Sequence, residues 1–191
     1  MTVITTIPED EATGDVARLY ADDIDDQGFV AAHSKVLALN MEAYDAWEKL
    51  IGAIAHTMDK RRYELVTLAA ALGVGSRHCR LAHGRKSLRF FDEDQLIRIA
   101  HDYRSAGLSD ADVAMMAFAE KVSTNSSGMT NIDSLELRDF GFSDTEIVNI
   151  ALAAAARNYF SRAIQALAVD VEVPTDISEE LAKELVRGIP G

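Results

Sequence analysis

Cys79 is the only cysteine of the 191-residue chain, and it stands in the stretch GVGSRHCRLAHG with Ser76 ahead of it and His83 behind. On a helix, offsets of three, four and seven residues return to one side, so Ser76, Cys79 and His83 form a stripe while His78 points elsewhere. A free thiol titrates near ~8.5, but a place in the first turn of a helix, close to an imidazolium, favours the thiolate, which is the species that attacks peroxides. Glu64 belongs to a segment otherwise lined with Leu65, Val66, Leu68, Ala69 and Leu72. An unpaired carboxylate there is costly, so it needs a partner. His83 is the natural one: a carboxylate fixes the tautomer of an imidazole and tunes its basicity, which makes a Glu-His-Cys proton relay.

The bland alternatives are concrete. A free cysteine is among the most buried residue types and can be plain packing, and Ser76 reads first of all as a helix N-cap. HCRLAH spaces Cys79 and His83 suitably for a metal, but His78 lies on another side and no second ligand pair is apparent, so no metal and no cofactor is expected. His33, His56 and His101 are scattered, and nothing in the sequence gathers them.

Helices must carry these residues. Three prolines and eleven glycines punctuate the chain, and neither alternating strand patterns nor hairpin signals occur. PEDEATGDVARLYADDI and MEAYDAWEKLIGAIAHTM show helical spacing. Asp59 is placed to cap KRRYELVTLAAAL, which is apolar nearly all round after Glu64 and so belongs in the core. Gly73 and Gly75 then interrupt the pattern, and Ser76 restarts it. Ser109, Thr130 and the pair Ser143 and Glu146 open later helices, the last running through IVNIALAAAARNYFSRAIQAL, and ISEELAKELVRG closes the chain. Asn158 and Arg162 on the long late helix read as structural, and Met115, Met116 and Phe118 as core. Laying Glu64 on Glu146 superposes two Ala-rich stretches, with Arg80 falling on Arg162. That hints at an internal duplication or at chance similarity between core helices.

The bulk properties bound the function. A net charge of -12 repels phosphate backbones and anionic lipid, so neither nucleic acid nor a membrane is an expected partner. The acidic balance also argues mildly against an anionic substrate, an objection weakened by the local basic cluster Arg77, Arg80, Arg85 and Lys86. No apolar run is long enough to span a bilayer, and the N-terminal stretch lacks the basic start and apolar core of a secretory signal. A lone cysteine gains nothing from an oxidising compartment, so a cytoplasmic location is expected.

The spacing of Glu64, Ser76, Cys79 and His83 resembles the Glu…Cys-x-x-Cys-x-x-x-His signature of the alkylhydroperoxidase D and carboxymuconolactone decarboxylase superfamily. The surrounding segments are similar to its peroxidase-related branch over about residues 4 to 170. The expected fold is a single all-α domain over 1–191 with about eight helices at typical helix and loop lengths; the resemblance implies that it is of the alkylhydroperoxidase D type and assembles as a homo-oligomer, a dimer or a trimer of dimers. It implies hydroperoxide attack at Cys79, with His83 and Glu64 managing the proton. The first cysteine of the signature, which resolves the sulfenic acid, is Ser76 here, and a hydroxyl cannot form a disulfide, so an external thiol reductant is required. Two other readings stay open. One is a lyase acting on a small carboxylate through His83 and Glu64, as in the decarboxylase members, with Cys79 incidental. The other is a catalytically degenerate helical oligomer.

Overall fold

The computed structural model describes residues 2–190. Ten α-helices form among them: α1 (Gly14–Gln27), α2 (Ala32–Leu37), α3 (Met41–His56), α4 (Lys60–Gly73), α5 (Arg77–Ser87), α6 (Glu93–Asp102), α7 (Asp110–Asn125), α8 (Asn131–Asp139), α9 (Asp144–Ala166) and α10 (Glu179–Leu185), with no strand among the described residues. None of these helices is long and apolar enough to cross a membrane.

α4 is the hub. A helix that is apolar on every side is stable only when other elements surround it. Tyr63 to Ala71 are buried without a break, and α5, α7 and α9 pack around them. Asp59 starts the helix by accepting the Arg62 N–H at 2.9 Å. Gly73 ends it where α7 comes too close for a larger residue, since a Cβ there would fall 2.8 Å from the Glu120 carbonyl oxygen. Gly75 follows at φ +69°, a left-handed conformation that glycine adopts without steric cost, and the chain turns into α5. Ser76, Ser109, Thr130 and Ser143 each accept a first-turn N–H of the helix they precede, satisfying donors that would otherwise be orphaned.

Two helices exceed the eight expected. α6 has a local signal, with Asp92 accepting the Gln95 N–H at 2.7 Å and Leu96, Ile99 and Ala100 turned inward. α2 has none: its N-terminal N–H groups are met from a distance, Ala31 donating to Asp23 and Ala32 donating to Glu172, both at 2.9 Å. The first expected helix also starts late. Residues 9–11 make a 3-10 turn, Ala12 and Thr13 are extended, and α1 begins only at Gly14.

The suggested duplication is not one structural unit. Residues 64–83 are a helix, a turn and a second helix, whereas 146–165 lie within the unbroken α9. Arg80 and Arg162 differ accordingly. Arg80 is 2% exposed and holds three elements by their carbonyls, Leu185 O and Ala100 O at 2.8 Å and Leu68 O at 3.5 Å, while Arg162 is exposed. Replacing a buried guanidinium leaves those acceptors unpaired. Arg80→Met is therefore expected to lower the unfolding free energy in urea by about 3 kcal/mol, and Arg162→Met by less than about 0.5 kcal/mol.

Candidate active site

The start of α5 carries Cys79 into the interior. The Cys79 N–H donates to Ser76 Oγ at 3.3 Å, which fixes the first turn and points its partial positive charge toward the residue. The thiol is 1% exposed, in a small cluster with Trp47, Ala71, Phe160 and Ile164. Its sulfur meets two groups of α9: Ser161 Oγ donates to it at 3.2 Å and Arg157 Nη1 at 3.7 Å. Arg157 is 4% exposed, with its guanidinium 5.8 Å from the ring centres of both Trp47 and Phe160. Burial works against the charge of Arg157, but Cys79 and Tyr63 more than compensate and hold its pKa above the ordinary value.

Below this lies the second group. His83 Nδ1 is 2.6 Å from Glu64 Oε2, with both side chains buried. Burial, and then the field of Arg157, push the histidine down to about 3, against the opposing pull of Glu64. Glu64 is also held low: burial raises it, but His83, Lys86 and Arg157 outweigh that. At neutral pH the pair is thus a carboxylate accepting a hydrogen bond from a neutral imidazole. This tautomer carries the proton on Nδ1 and leaves Nε2 as a proton acceptor.

Cys79, His83, Glu64, Arg157, Trp47 and Phe160 line one cavity of about 310 Å³. His83, though, is not among the hydrogen-bond partners of the sulfur in the described residues. The cation beside the sulfur is a guanidinium, where the sequence suggested an imidazolium. Ser76 serves as the cap and lines a neighbouring cavity with Gly75, His78 and Gln165.

Two further expectations are corrected. His78 does not turn away: it lines the same cavity as Cys79, its ring 4.5 Å from that of His33, so α2 gathers one of the histidines that the sequence leaves scattered. Burial is the main reason that His33 falls to about 4 and His78 to about 3; Lys86 and Arg157 lower His33 further, and His33 and Arg157 lower His78. The basic cluster also disperses. Arg80 is spent on backbone carbonyls, Arg77 lines the neighbouring cavity, and Arg85 and Lys86 line this one, Arg85 while paired with Asp26 and Asp176.

Arg157 and Ser161 are the residues that sequence reasoning missed. Their signal is a polar pair four residues apart within an otherwise Ala-rich core helix, one step from Asn158 and Arg162. That step rotates by about 100°. Asn158 bonds Ser123 Oγ and Ala154 O, a structural role.

No protein-family model and no curated protein matches this chain in sequence. Solved structures do match in fold. A peroxidase-related protein from Ralstonia eutropha, described as an alkylhydroperoxidase AhpD core, superposes with a TM-score of 0.77 at 20% identity, over 97% of this chain and 96% of the other. A peroxidase-related protein from Silicibacter gives 0.78 at 22% identity, over 90% and 92%. The debrominase Bmp8 gives 0.78 at 16% identity, over 97% and 98%; a cysteine-to-alanine form of it has been solved with 2,3,4-tribromopyrrole. The chain therefore has the all-α fold of the alkylhydroperoxidase D type.

The neutral histidines set a pH dependence. Each binds protons less readily folded than unfolded, so its contribution is complete above the unfolded value of 6.5 and is lost as the pH falls toward 3 or 4; stability falls because the unfolded chain takes up more protons. The thermal midpoint is expected to drop between pH 6.5 and 4, with a shallower slope in His78→Asn, as read by circular dichroism.

Proposed function

We propose that this chain is a thiol-dependent oxidoreductase that reduces a small hydroperoxide at Cys79. The observation that carries the reading is the sulfur bracketed by a guanidinium and a hydroxyl donor, within the cavity that also holds the His83–Glu64 pair. Arg157 and Ser161 can balance negative charge on the sulfur, and Nε2 of His83 can take its proton. The thiolate attacks one peroxide oxygen, so that an S–O bond forms as the O–O bond breaks. The leaving alkoxide takes the proton that the thiol gives up, relayed through the neutral imidazole of His83, and departs as an alcohol. Cys79 is left as a sulfenic acid.

Ser76 cannot resolve that acid. An external thiol attacks the sulfur and expels water, giving a mixed disulfide. A second external thiol then restores Cys79 and leaves as the disulfide. The sum is one hydroperoxide and two thiols giving one alcohol, one water and one disulfide. A cytoplasmic setting would supply such thiols. The exposed stripe of Val148, Leu152 and Tyr159 on α9 supports assembly with further copies of the chain, each taken as one domain.

A second reading uses the same sulfur on a ring-bound halogen. The aromatic wall favours it, since Trp47 and Phe160 stack at 4.5 Å beside Cys79, as does the fold likeness to a debrominase. The thiolate would take bromine from carbon as the carbon takes the proton relayed through His83; one external thiol would then displace bromide and form a mixed disulfide, and a second would restore Cys79. A lyase using only His83 and Glu64 gives the two donors at the sulfur no task.

Stoichiometric tert-butyl hydroperoxide is expected to add one oxygen to Cys79, seen by intact mass and trapped by dimedone. His83→Gln and Arg157→Met should each slow this by about 100-fold, and Cys79→Ala should abolish it. An unmodified thiol would overturn the peroxidase reading, and bromide release from tribromopyrrole would then favour the second.

A further inference from the structure

The mechanism leaves a second cavity unused, of about 290 Å³, lined by Lys60, Lys86, Arg89, His56, Gly52 and Phe90. It adjoins the cysteine cavity, because Ala55, Tyr63, Glu64 and Lys86 line both. Lys60, Lys86 and Arg89 make no ion pair among the described residues, in a chain whose net charge is -12. Glu64 is the one carboxylate on its wall, and it is committed to His83.

Helix stability does not account for this arrangement. Lys86 stands in the last turn of α5 and Arg89 two residues beyond its end, where a cation complements the helix dipole, but Lys60 is the first residue of α4, where a cation is disfavoured. Asp23, Glu48 and Glu172 line the cysteine cavity but not this one. Phe90, 39% exposed, gives the basic side an apolar rim. A ligand drawn to that side is an anion with an apolar body.

We propose that this cavity is the binding site for the carboxylate of an amphiphilic substrate, a carboxylate-bearing hydroperoxide, held by Lys60, Lys86 and Arg89 while its reactive end reaches Cys79. The inference rests on the cysteine cavity being the reaction site. Its test does not require the thiol to react.

Octanoate and octanamide share size and apolar chain and differ in charge, so isothermal titration calorimetry on the full chain separates the two contributions. Octanoate is expected to bind at least about tenfold more tightly than octanamide, with an affinity that falls as salt is added. Cys79→Ser should bind it as the parent does. The double variant Lys60→Gln/Arg89→Gln, altered only at exposed positions, should bring octanoate close to octanamide while alkylation of Cys79 by neutral iodoacetamide keeps its rate. Equal binding of the two probes, no binding of either, or undiminished octanoate binding in the double variant would overturn the proposal. Octanoate binding with a peroxide-inert thiol would instead keep the anion site and remove the peroxidase reading.

Discussion

A guanidinium shut away from water needs acceptors, and Arg157 finds one in the Cys79 sulfur where α9 crosses the start of α5. The surroundings of the pair leave few substitutes. Trp47 and Phe160 offer the guanidinium only their rings, its Nε has no hydrogen-bond partner, and Tyr63 is the further group that helps hold its charge. A buried cation with so few acceptors is costly in a protein whose stability is a small difference between large terms. The sulfur is one of the few acceptors within its reach.

That positive charge organises the rest of the cavity. His33, His78 and His83 are all kept neutral, by burial first and then by nearby positive charge. Glu64 stays ionised because Lys86, Arg157 and its hydrogen bond with His83 outweigh its burial. The outcome is a neutral imidazole of defined tautomer in the same cavity as a sulfur held by other donors. Two sets of residues result: Arg157 and Ser161 contact the sulfur, and His83 pairs with Glu64. α4 underlies both, since it presents Glu64 from its first turns and packs against α5 and α9.

Much of this frame is legible in the chain itself. Asp59, Ser76, Ser109, Thr130 and Ser143 mark helix starts by local hydrogen bonding, which depends on neighbours three residues away. The apolar run after Glu64 marks α4 as central because water cannot be tolerated on any of its sides. The pairing of Glu64 with His83 follows from the cost of an unpaired buried carboxylate. What escaped were contacts without local chemistry. α2 is capped by Asp23 and Glu172, the latter 140 residues from the N–H it accepts, and no window on the sequence contains that interaction.

The distinction is sharpest around the sulfur. Sequence alone determined the all-helical architecture, the position of Cys79 in a first turn, and the absence of a second cysteine to resolve it, because each depends on residue type and near spacing. Only the tertiary structure decided which cation faces the thiol, that His78 and His33 join the cavity, and that Arg80 supports backbone while Lys60, Lys86 and Arg89 line the adjoining cavity. Those outcomes depend on the rotation of α9 and the docking of α2. A helix turns about 100° per residue, so a one-residue difference in which face packs inward exchanges Asn158 for Arg157, and packing between distant segments sets that angle.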